Sequence, residues 1–236
     1  MKNSKKSKVI IVMGPPGAGK GTQASLLSEK LGLYRLESSK VIEENVMAAK
    51  KGDFVKVGGK KYSLLKEQKL WKTGLICTSA VVGFWMKEKI KKLARANESI
   101  LLEGTPRTPQ EAEEVAPILK KLYGNPNIKI ILLELNPETS IWRNSHRRIC
   151  ELLRHPILYN KETIRLRHCT LDGSKLIKRK SLDDPKIIRV RLREYKEKTL
   201  PLVTYFEKQG LKVIKTDGSS VPAVVFRNIL KALGTK

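Results

Sequence analysis

The chain has 236 residues, 40% of them hydrophobic, which is enough for one α/β core with a small inserted subdomain. No apolar run approaches the roughly 18 residues of a transmembrane helix, which argues against a membrane protein. The formal net charge of +25 predicts attraction to polyanions, including nucleotides, nucleic acids and anionic membranes, and by itself does not choose among them.

A glycine-rich loop, Gly-Pro-Pro-Gly-Ala-Gly-Lys-Gly-Thr-Gln at positions 14–23, follows an apolar run at 9–13 and precedes a stretch with helical spacing. A buried strand, a glycine loop and a helix N-terminus in that order form a phosphate cradle. Lys20 would supply an ammonium for phosphate oxygens, and Thr22 a hydroxyl for a magnesium ion. The alternative is a glycine-rich turn that binds nothing.

Further apolar runs of strand length alternate with longer segments of helical spacing. This pattern indicates a parallel sheet covered on both faces, with ligands at the carboxyl ends of its strands. A Gly-Gly pair within 50–61 also predicts a small turn or hairpin between helices. The predicted strands lie at 9–13, 33–36, 100–102, 128–135 and 213–214.

Two segments after these strands carry charged side chains. Glu103 ends the third predicted strand, where its carboxylate could hold the waters of a phosphate-bound magnesium ion or cap the next helix. The segment 140–193 is rich in arginine, and most of these charges are expected on the surface or in salt bridges. Because phosphoryl transfer needs several cations around the transferred group, a few should point at phosphates.

The chain has three well-separated cysteines, which argues against a disulfide framework and indicates a reducing, cytoplasmic location. Cys150 and Cys169, with Asp172 three residues later, have spacing that suggests zinc. Leu153 occupies the position expected for a fourth ligand, so a closed site would need His155 or His168. The favoured interpretation is a pair of reduced, buried cysteines.

Five separate motifs together resemble the adenylate kinase family of nucleoside monophosphate kinases, in an order that covers nearly the whole chain. They are the loop at 14–23, Glu-Gly-Thr-Pro-Arg-Thr at 103–108, Arg143 with Arg147, Leu-Ile-Lys-Arg at 176–179 with Asp183 and Asp184, and Arg191-Leu with Tyr195, Thr199 and Pro201.

The resemblance implies an α/β fold of the P-loop NTPase type, a five-stranded parallel sheet with helices on both faces. The whole chain, 1–236, would be one kinase domain. It would carry a monophosphate-binding insertion at about 37–80 and a lid at about 146–180, and it would be a monomer.

The resemblance also implies roles for individual residues, with ATP and Mg²⁺ as the cofactors and Glu103 as the metal-associated carboxylate. The residues implied to be catalytic are Lys20, Arg107, Arg147, Arg179 and Arg191. Those implied to bind ATP are Gly17, Ala18, Gly19, Lys20, Gly21, Thr22, Arg143 and Arg147. Those implied to bind the acceptor are Ser38, Lys40, Ile76, Cys77, Gly104, Arg107, Glu111, Arg179 and Arg191.

The sequence departs from the family pattern mainly on the acceptor side. Glu43 replaces a phosphate-binding arginine, and Lys40, one helical turn earlier, could restore the cation. Glu111, or Gln110 if the register slips, takes the place of a base-reading glutamine, and a carboxylate there accepts but does not donate. Glu103 stands where the family has aspartate. In the lid, Leu153 breaks the family's first pair of zinc ligands.

The sequence thus predicts an ATP-dependent nucleoside monophosphate kinase, with AMP and ATP giving two ADP. A first alternative is a kinase that prefers CMP, UMP or another monophosphate. A second is a nucleotide-dependent nucleic-acid-binding protein with weak kinase activity. The second is not favoured, because the basic residues lack interleaved aromatic residues and a recognised RNA- or DNA-binding motif.

Overall fold

The structure is a computed structural model that describes residues 7–178 and 183–235. Its centre is a five-stranded sheet in the order β10-β6-β1-β5-β2, with every neighbouring pair parallel. The predicted fold class is confirmed, and each predicted strand is present within a few residues of its expected bounds. The strands are β1 (Val9–Met13), β2 (Tyr34–Glu37), β5 (Ile100–Glu103), β6 (Ile128–Glu134) and β10 (Val213–Asp217).

Helices cover both faces of this sheet. One face packs against α1 (Lys20–Leu31) and α9 (Pro222–Leu233), and the other packs mainly against α4 (Ser79–Arg95), α5 (Pro109–Tyr123) and α8 (Leu202–Lys208). The described residues also form the α-helices α2 (Ser38–Val46), α3 (Leu64–Thr73), α6 (Pro137–His146) and α7 (Pro185–Glu194), with a π-helical turn at Tyr195–Thr199 between α7 and α8.

The central strand β1 is buried along its whole length and contributes to both cores. Ile10 and Val12 belong to the cluster under α1 and α9, whereas Val9, Ile11 and Met13 belong to the cluster on the opposite face. Successive side chains of a strand point to opposite faces, so a strand covered on both sides needs apolar residues at every position. This explains why the run is continuously apolar rather than alternating.

In the part of the chain that the structure describes, two small antiparallel units lie outside the central sheet. The hairpin of β3 (Phe54–Val57) and β4 (Lys60–Ser63) turns at the Gly58-Gly59 pair, which confirms the predicted hairpin. A three-stranded sheet in the order β8-β7-β9 is formed by β7 (Arg148–Cys150), β8 (Pro156–Ile157) and β9 (Leu176–Ile177). Among the described residues, no helix is both long enough and apolar enough to cross a membrane.

Candidate active site

A cleft of about 1180 Å³ lies at the carboxyl ends of the parallel strands. Its walls come from the glycine loop after β1, the ends of β2 and β5, and parts of α6, α7 and the three-stranded sheet. The predicted site residues that line it are Gly17, Ala18, Gly19, Lys20, Gly21, Thr22, Lys40, Glu103, Gly104, Arg107, Arg143, Arg147 and Arg191. Arg179, another predicted residue, lies outside the described part of the chain.

Two glycines of the loop, Gly14 and Gly17, are packed so closely that a side chain at either position would clash. A Cβ atom on Gly17, whose φ is +78°, would lie 2.5 Å from Asn144 Nδ2. One on Gly14 would lie 2.6 Å from the carbonyl oxygen of Leu133. Ser140 of α6 donates a hydrogen bond to the carbonyl of Pro16 and so ties the loop to α6. The glycines therefore let the backbone approach its neighbours where a larger residue would displace it.

Lys20 is the first residue of α1, and its side chain turns back over the loop. The ammonium Nζ donates to the carbonyl oxygens of Gly14 and Pro15, each at 2.8 Å. The N-cap residue Gly19 has a left-handed conformation and offers no side chain to cap the helix. The first N–H groups of α1 consequently face the cleft without a side-chain cap, which is the arrangement that favours an anion.

The pKa of Lys20 is lowered to about 7. Burial is the largest cause, and repulsion from Arg191, Arg107 and Arg147 adds to it, whereas Glu103 acts in the opposite direction. The three guanidinium groups therefore surround the ammonium closely enough to destabilise its charged form. A polyanion entering the cleft would reverse this effect.

Arg143 and Arg147, at the C-terminal end of α6, also line the cleft. Arg143 donates to the carbonyl oxygen of Gly218 at 2.7 Å and to that of Ser219, in the turn after β10. Burial lowers the pKa of Arg143. Arg147 forms an ion pair with Asp183. Both guanidinium groups are thus held in place by the protein at the edge of the cleft.

Arg191 on α7 lies against the segment that follows α3. A Cβ atom added to Gly74, whose φ is +80°, would lie 3.2 Å from Arg191 Cγ and 2.7 Å from Ile187 Cγ2. Gly74 therefore lets α7 approach closely. This contact places Arg191 in the cleft lining beside Gly74, while its charge acts on Lys20.

Glu103, at the end of β5, does not cap the next helix, because Thr108 caps α5 by accepting a hydrogen bond from the Glu111 N–H. The capping alternative for Glu103 is therefore wrong. Its Oε2 instead accepts from Arg35, whose Nε lies at 2.9 Å and whose Nη2 lies at 2.6 Å. Sequence reasoning missed Arg35. The available signal was its place near the end of β2, two residues before Glu37.

Arg107 is fixed by short hydrogen bonds. Its Nε donates to the carbonyl oxygen of Gly104 at 2.6 Å, and its backbone N–H donates to Glu111 Oε2 at 2.8 Å. The hydroxyl of Ser38 also donates to the Gly104 carbonyl at 2.6 Å. A Cβ on Gly104 would lie 2.8 Å from Arg107 Nη2 and 2.9 Å from Ser38 Oγ, so the residue before Thr105 must be glycine for this cluster to form.

Four predicted acceptor residues do not line the cleft in this structure. Ser38, Cys77 and Glu111 are buried, and Ile76 is half-buried. Burial raises the pKa of Glu111 despite its bonds from the Arg107 N–H and the Thr105 hydroxyl. Burial, aided by Glu67, also raises the pKa of the Cys77 thiol to about 12. Of these four residues, Ser38 and Glu111 bond to Arg107, which does line the cleft.

Lys40 and Glu43, both on α2, line the cleft. The Lys40 side chain is 68% exposed, and its ammonium lies 3.8 Å from Glu37 Oε2. A single exposed contact of this length holds a lysine loosely. Lys40 is therefore free to reorient toward a ligand.

A second cluster of ligand atoms lies in the three-stranded sheet. It comprises Cys150, His155, Cys169 and Asp172, whose Sγ, ring nitrogen and carboxylate oxygen atoms all lie within 4.8 Å of one another. The imidazole lies between the sulfurs, with Nδ1 3.1 Å from Cys150 Sγ and Nε2 3.2 Å from Cys169 Sγ. His168 instead pairs with Lys175 in a β-bridge. Two sulfurs, one nitrogen and one carboxylate are a donor set that suits zinc.

Comparison with known proteins agrees with this geometry. The family model described as adenylate kinase matches residues 12–211. The adenylate kinase of Kosmotoga olearia is 32% identical over 227 residues, covering 93% of this chain and 98% of that protein. Those of Chlamydia muridarum and Caldicellulosiruptor bescii are each 30% identical, covering 95% of this chain and 86% and 98% of their own lengths. A family match of this extent, with the glycine loop and the arginines in one cleft, shows that the chain belongs to the adenylate kinase family.

Proposed function

We propose that this protein transfers the γ-phosphoryl group of ATP to a nucleoside monophosphate, with AMP as the acceptor and two ADP as the products. The observation that carries the proposal is the shared cleft, because the glycine loop and Arg107 both line this one space. The relatives named adenylate kinase support AMP as the acceptor.

The transfer needs no covalent enzyme intermediate. An oxygen of the acceptor phosphate attacks the γ-phosphorus while the bond from that phosphorus to the β–γ bridging oxygen breaks, and the leaving group is ADP. The acceptor phosphate is already ionised at neutral pH, so a strong general base is unnecessary. Lys20, Arg147 and Arg191 neutralise the charge on the transferred group, and Arg107 holds the acceptor phosphate.

The remaining residues divide between the two nucleotides. We assign residues 17–22 and Arg143 to ATP, because the loop and helix start provide backbone donors and Arg143 is held beside them. Arg179 is assigned from the resemblance alone, as a further cation for the phosphates. Of the acceptor residues, Lys40 and Gly104 line the cleft and would contact the monophosphate, whereas Ser38 and Glu111 are buried and would position Arg107 through their hydrogen bonds. Ile76 and Cys77 are assigned to the acceptor from the resemblance alone.

The donor set at the start of α1 fits a magnesium ion bound to phosphate. The Thr22 hydroxyl and the Glu103 carboxylate line the same cleft, and hard oxygen ligands are what this ion prefers. Mg²⁺ would supply charge neutralisation of the ATP phosphates. Glu103 would hold its water ligands and Thr22 would bind it directly.

We also propose that residues 37–80 and 146–180 are the parts that move over the substrates, as a monophosphate-binding insertion and a lid. The first contains the β3–β4 hairpin, and the second contains the three-stranded sheet, both outside the central sheet. Their residues Lys40, Glu43, Arg147 and Leu153 line the cleft, so closure would bring these segments onto bound nucleotides.

A panel of nucleoside monophosphates in a coupled ADP assay tests the proposed activity. With ATP and Mg²⁺ we expect AMP to give the highest kcat/KM. Lys20→Ala should lower kcat by about 100-fold to 1000-fold, the typical effect of removing one preorganised donor. Arg107→Ala should mainly raise the KM for the monophosphate, and Lys231→Ala on the exposed end of α9 is the matched control.

Other results of the same panel would identify the alternatives. If CMP or UMP gives the highest kcat/KM, that monophosphate is the acceptor instead of AMP. If no monophosphate is phosphorylated, but RNA is bound with only a shallow dependence on salt, the nucleic-acid-binding hypothesis would be favoured instead. Sedimentation at several protein concentrations tests the expected monomer.

We further propose that the cluster of Cys150, His155, Cys169 and Asp172 holds a structural zinc ion. His155 would take the role for which Leu153 is unsuited. The ion would tie β7 and β8 to the loop before β9, where the described residues offer little apolar core of their own.

Elemental analysis of the purified protein tests the zinc proposal directly. We expect about one zinc per chain and a lower unfolding temperature after chelation. His155→Ala should lose the metal. His168→Ala is the matched control, because His168 pairs with Lys175 through its backbone in the same region and lies outside the cluster, so this variant should retain the metal.

A further inference from the structure

The pairing of β2 with β5 brings two negatively charged side chains together at the edge of the cleft. Their register places Glu37 directly opposite Glu103. Like charges in this arrangement destabilise a sheet, because the side chains of opposed residues lie close together. Arg35 shares a strand face with Glu37, since residues two apart point the same way. A cation is therefore built into β2 beside both carboxylates.

The Arg35 guanidinium contacts three side chains. Its Nε and Nη2 both donate to Oε2 of Glu103, at 2.9 and 2.6 Å. Its Nη2 also lies 3.1 Å from Glu37 Oε2, and its Nη1 donates to the hydroxyl of Ser25 on α1 at 2.8 Å. Because the planar guanidinium has fixed donor directions, these contacts together determine its orientation.

The other oxygen of Glu103 is not used by Arg35. A Cβ atom on Gly21 would lie 3.2 Å from Oε1 of Glu103, so this oxygen faces the start of α1. Gly21 directly precedes Thr22, the residue whose hydroxyl is proposed to bind the metal. The two oxygens of Glu103 therefore have different surroundings, one bound to Arg35 and one directed at the glycine loop.

We propose that Arg35 is a positioning residue for Glu103, holding Oε2 so that Oε1 is presented to the water ligands of the nucleotide-bound metal. This inference rests on the proposed function, in which Glu103 serves that metal. Glutamate has one more rotatable bond than the aspartate of the family pattern, so its carboxylate has more freedom to lose. The two hydrogen bonds to Oε2 restrict that freedom before the metal–nucleotide arrives.

The experiment measures metal affinity without turnover. The protein is saturated with ATP, no monophosphate is added, and Mn²⁺ is titrated while its free concentration is followed by electron paramagnetic resonance. Glu103→Gln and Arg35→Gln should each weaken Mn²⁺ binding by about tenfold, the lower end of the typical effect of losing an outer-shell partner. The double variant should be no weaker than Glu103→Gln, because Arg35 acts through Glu103.

Turnover supplies a second readout. The half-saturating concentration of Mg²⁺ should rise with Arg35→Gln, while kcat at saturating Mg²⁺ stays within about twofold. Arg95→Gln, at the exposed end of α4, removes the same charge away from the cleft and should change neither quantity. If Arg35→Gln fails to fold because two carboxylates then face each other, Arg35→Gln with Glu37→Gln removes that repulsion and is measured against Glu37→Gln.

Three results would overturn the inference. Unchanged Mn²⁺ affinity would mean that Arg35 does not act on the metal. Tighter binding would mean that Arg35 competes with the metal for Glu103. Loss of kcat and of thermal stability at every metal concentration would show a structural role only. A wild-type protein that binds ATP without turnover would instead contradict the proposed function.

Discussion

The ammonium of Lys20 lies 2.8 Å from the carbonyl oxygen of Gly14, within the glycine loop that it is expected to serve. The side chain is therefore held against the loop, and the proposed role in binding phosphates would require it to turn away from these carbonyls. Its partners in this position are neutral carbonyls, and nearby arginines repel its charge. On binding ATP, the ammonium would exchange neutral carbonyl oxygens for negatively charged phosphate oxygens, which are stronger acceptors.

ATP binding should therefore take up a proton at about pH 8. The pKa of Lys20 is about 7 in the structure, so at pH 8 the amine is mostly neutral. Phosphate oxygens favour the charged form and raise this pKa, which means that the complex binds more protons than the free protein. Affinity for ATP should consequently fall as the pH rises above 7.

Titration calorimetry in buffers of different ionisation enthalpy measures this uptake. We expect a substantial fraction of one proton per site at pH 8 and almost none at pH 6. Lys20→Met should show no uptake linked to this residue at either pH. An equal uptake by Lys20→Met would assign the proton to another group.

Gly104→Ala should disturb Arg107 and raise the KM for the monophosphate. The new Cβ would lie 2.8 Å from Arg107 Nη2, and the backbone has a φ of +75°, which alanine adopts with strain. Gly210→Ala is the matched control, because Gly210 has a φ of +71° and, apart from its chain neighbours, no described residue has an atom within 4 Å of its Cβ position. Both variants should lose about 1–2 kcal/mol of stability from backbone strain, and only Gly104→Ala should lose acceptor affinity. Equal KM values in kinetic assays would contradict the proposed role of this cluster.

Local patterns predicted the strands and the glycine loop well, because a continuous apolar run and a loop motif are properties of neighbouring residues. Arg35 and Glu103 are 68 positions apart in the chain, and their contact depends on the register of β2 against β5, which the sequence pattern does not encode. The sequence likewise does not show that His155, and not His168, lies in the cluster with the two cysteines, because this depends on how the turns of the three-stranded sheet fold. Lys40 was predicted from helical spacing and does line the cleft.

Glu43→Arg should lower the KM for AMP. Glu43 lines the cleft on α2, in the segment that we propose binds the monophosphate. Its negative charge would repel the acceptor phosphate, whereas an arginine would offer that phosphate two donors. A change of about threefold to tenfold corresponds to roughly 1 kcal/mol, a modest effect for a partly exposed charge. Glu44→Arg makes the same charge change on the next residue of α2, outside the cleft lining, and should leave the KM nearly unchanged. If both variants lower the KM equally, net charge rather than position is responsible.

Glu67→Ala should destabilise the protein by about 2 kcal/mol or more. Glu67 is only 1% exposed, and its carboxylate accepts from both the N–H and the hydroxyl of Thr78, at 2.7 and 2.5 Å. Truncation would leave these donors unsatisfied at the start of α4. Glu67→Gln keeps an acceptor and should lose less, while Lys69→Ala on the exposed side of α3 should lose little. Urea unfolding measures the differences, and equal stability of Glu67→Ala and wild type would contradict this account.

Leu153→Cys should restore the zinc that His155→Ala loses. Leu153 is exposed, and its backbone nitrogen lies 3.4 Å from Asp172 Oδ2. A cysteine at this position would therefore have its backbone next to the ligand cluster. Thiolate and imidazole are alternative zinc ligands, and the fourth position needs only one of them. Leu152→Cys is the matched control, because Leu152 is the neighbouring residue and is also exposed. A cysteine at position 152 does not give the Cys-x2-Cys spacing with Cys150, whereas one at position 153 does. Zinc content and unfolding temperature are measured for His155→Ala combined with Leu153→Cys and for His155→Ala combined with Leu152→Cys. Recovery of zinc with Leu153→Cys alone assigns His155 to the fourth ligand position. Recovery with both cysteine substitutions, or with neither, refutes that assignment.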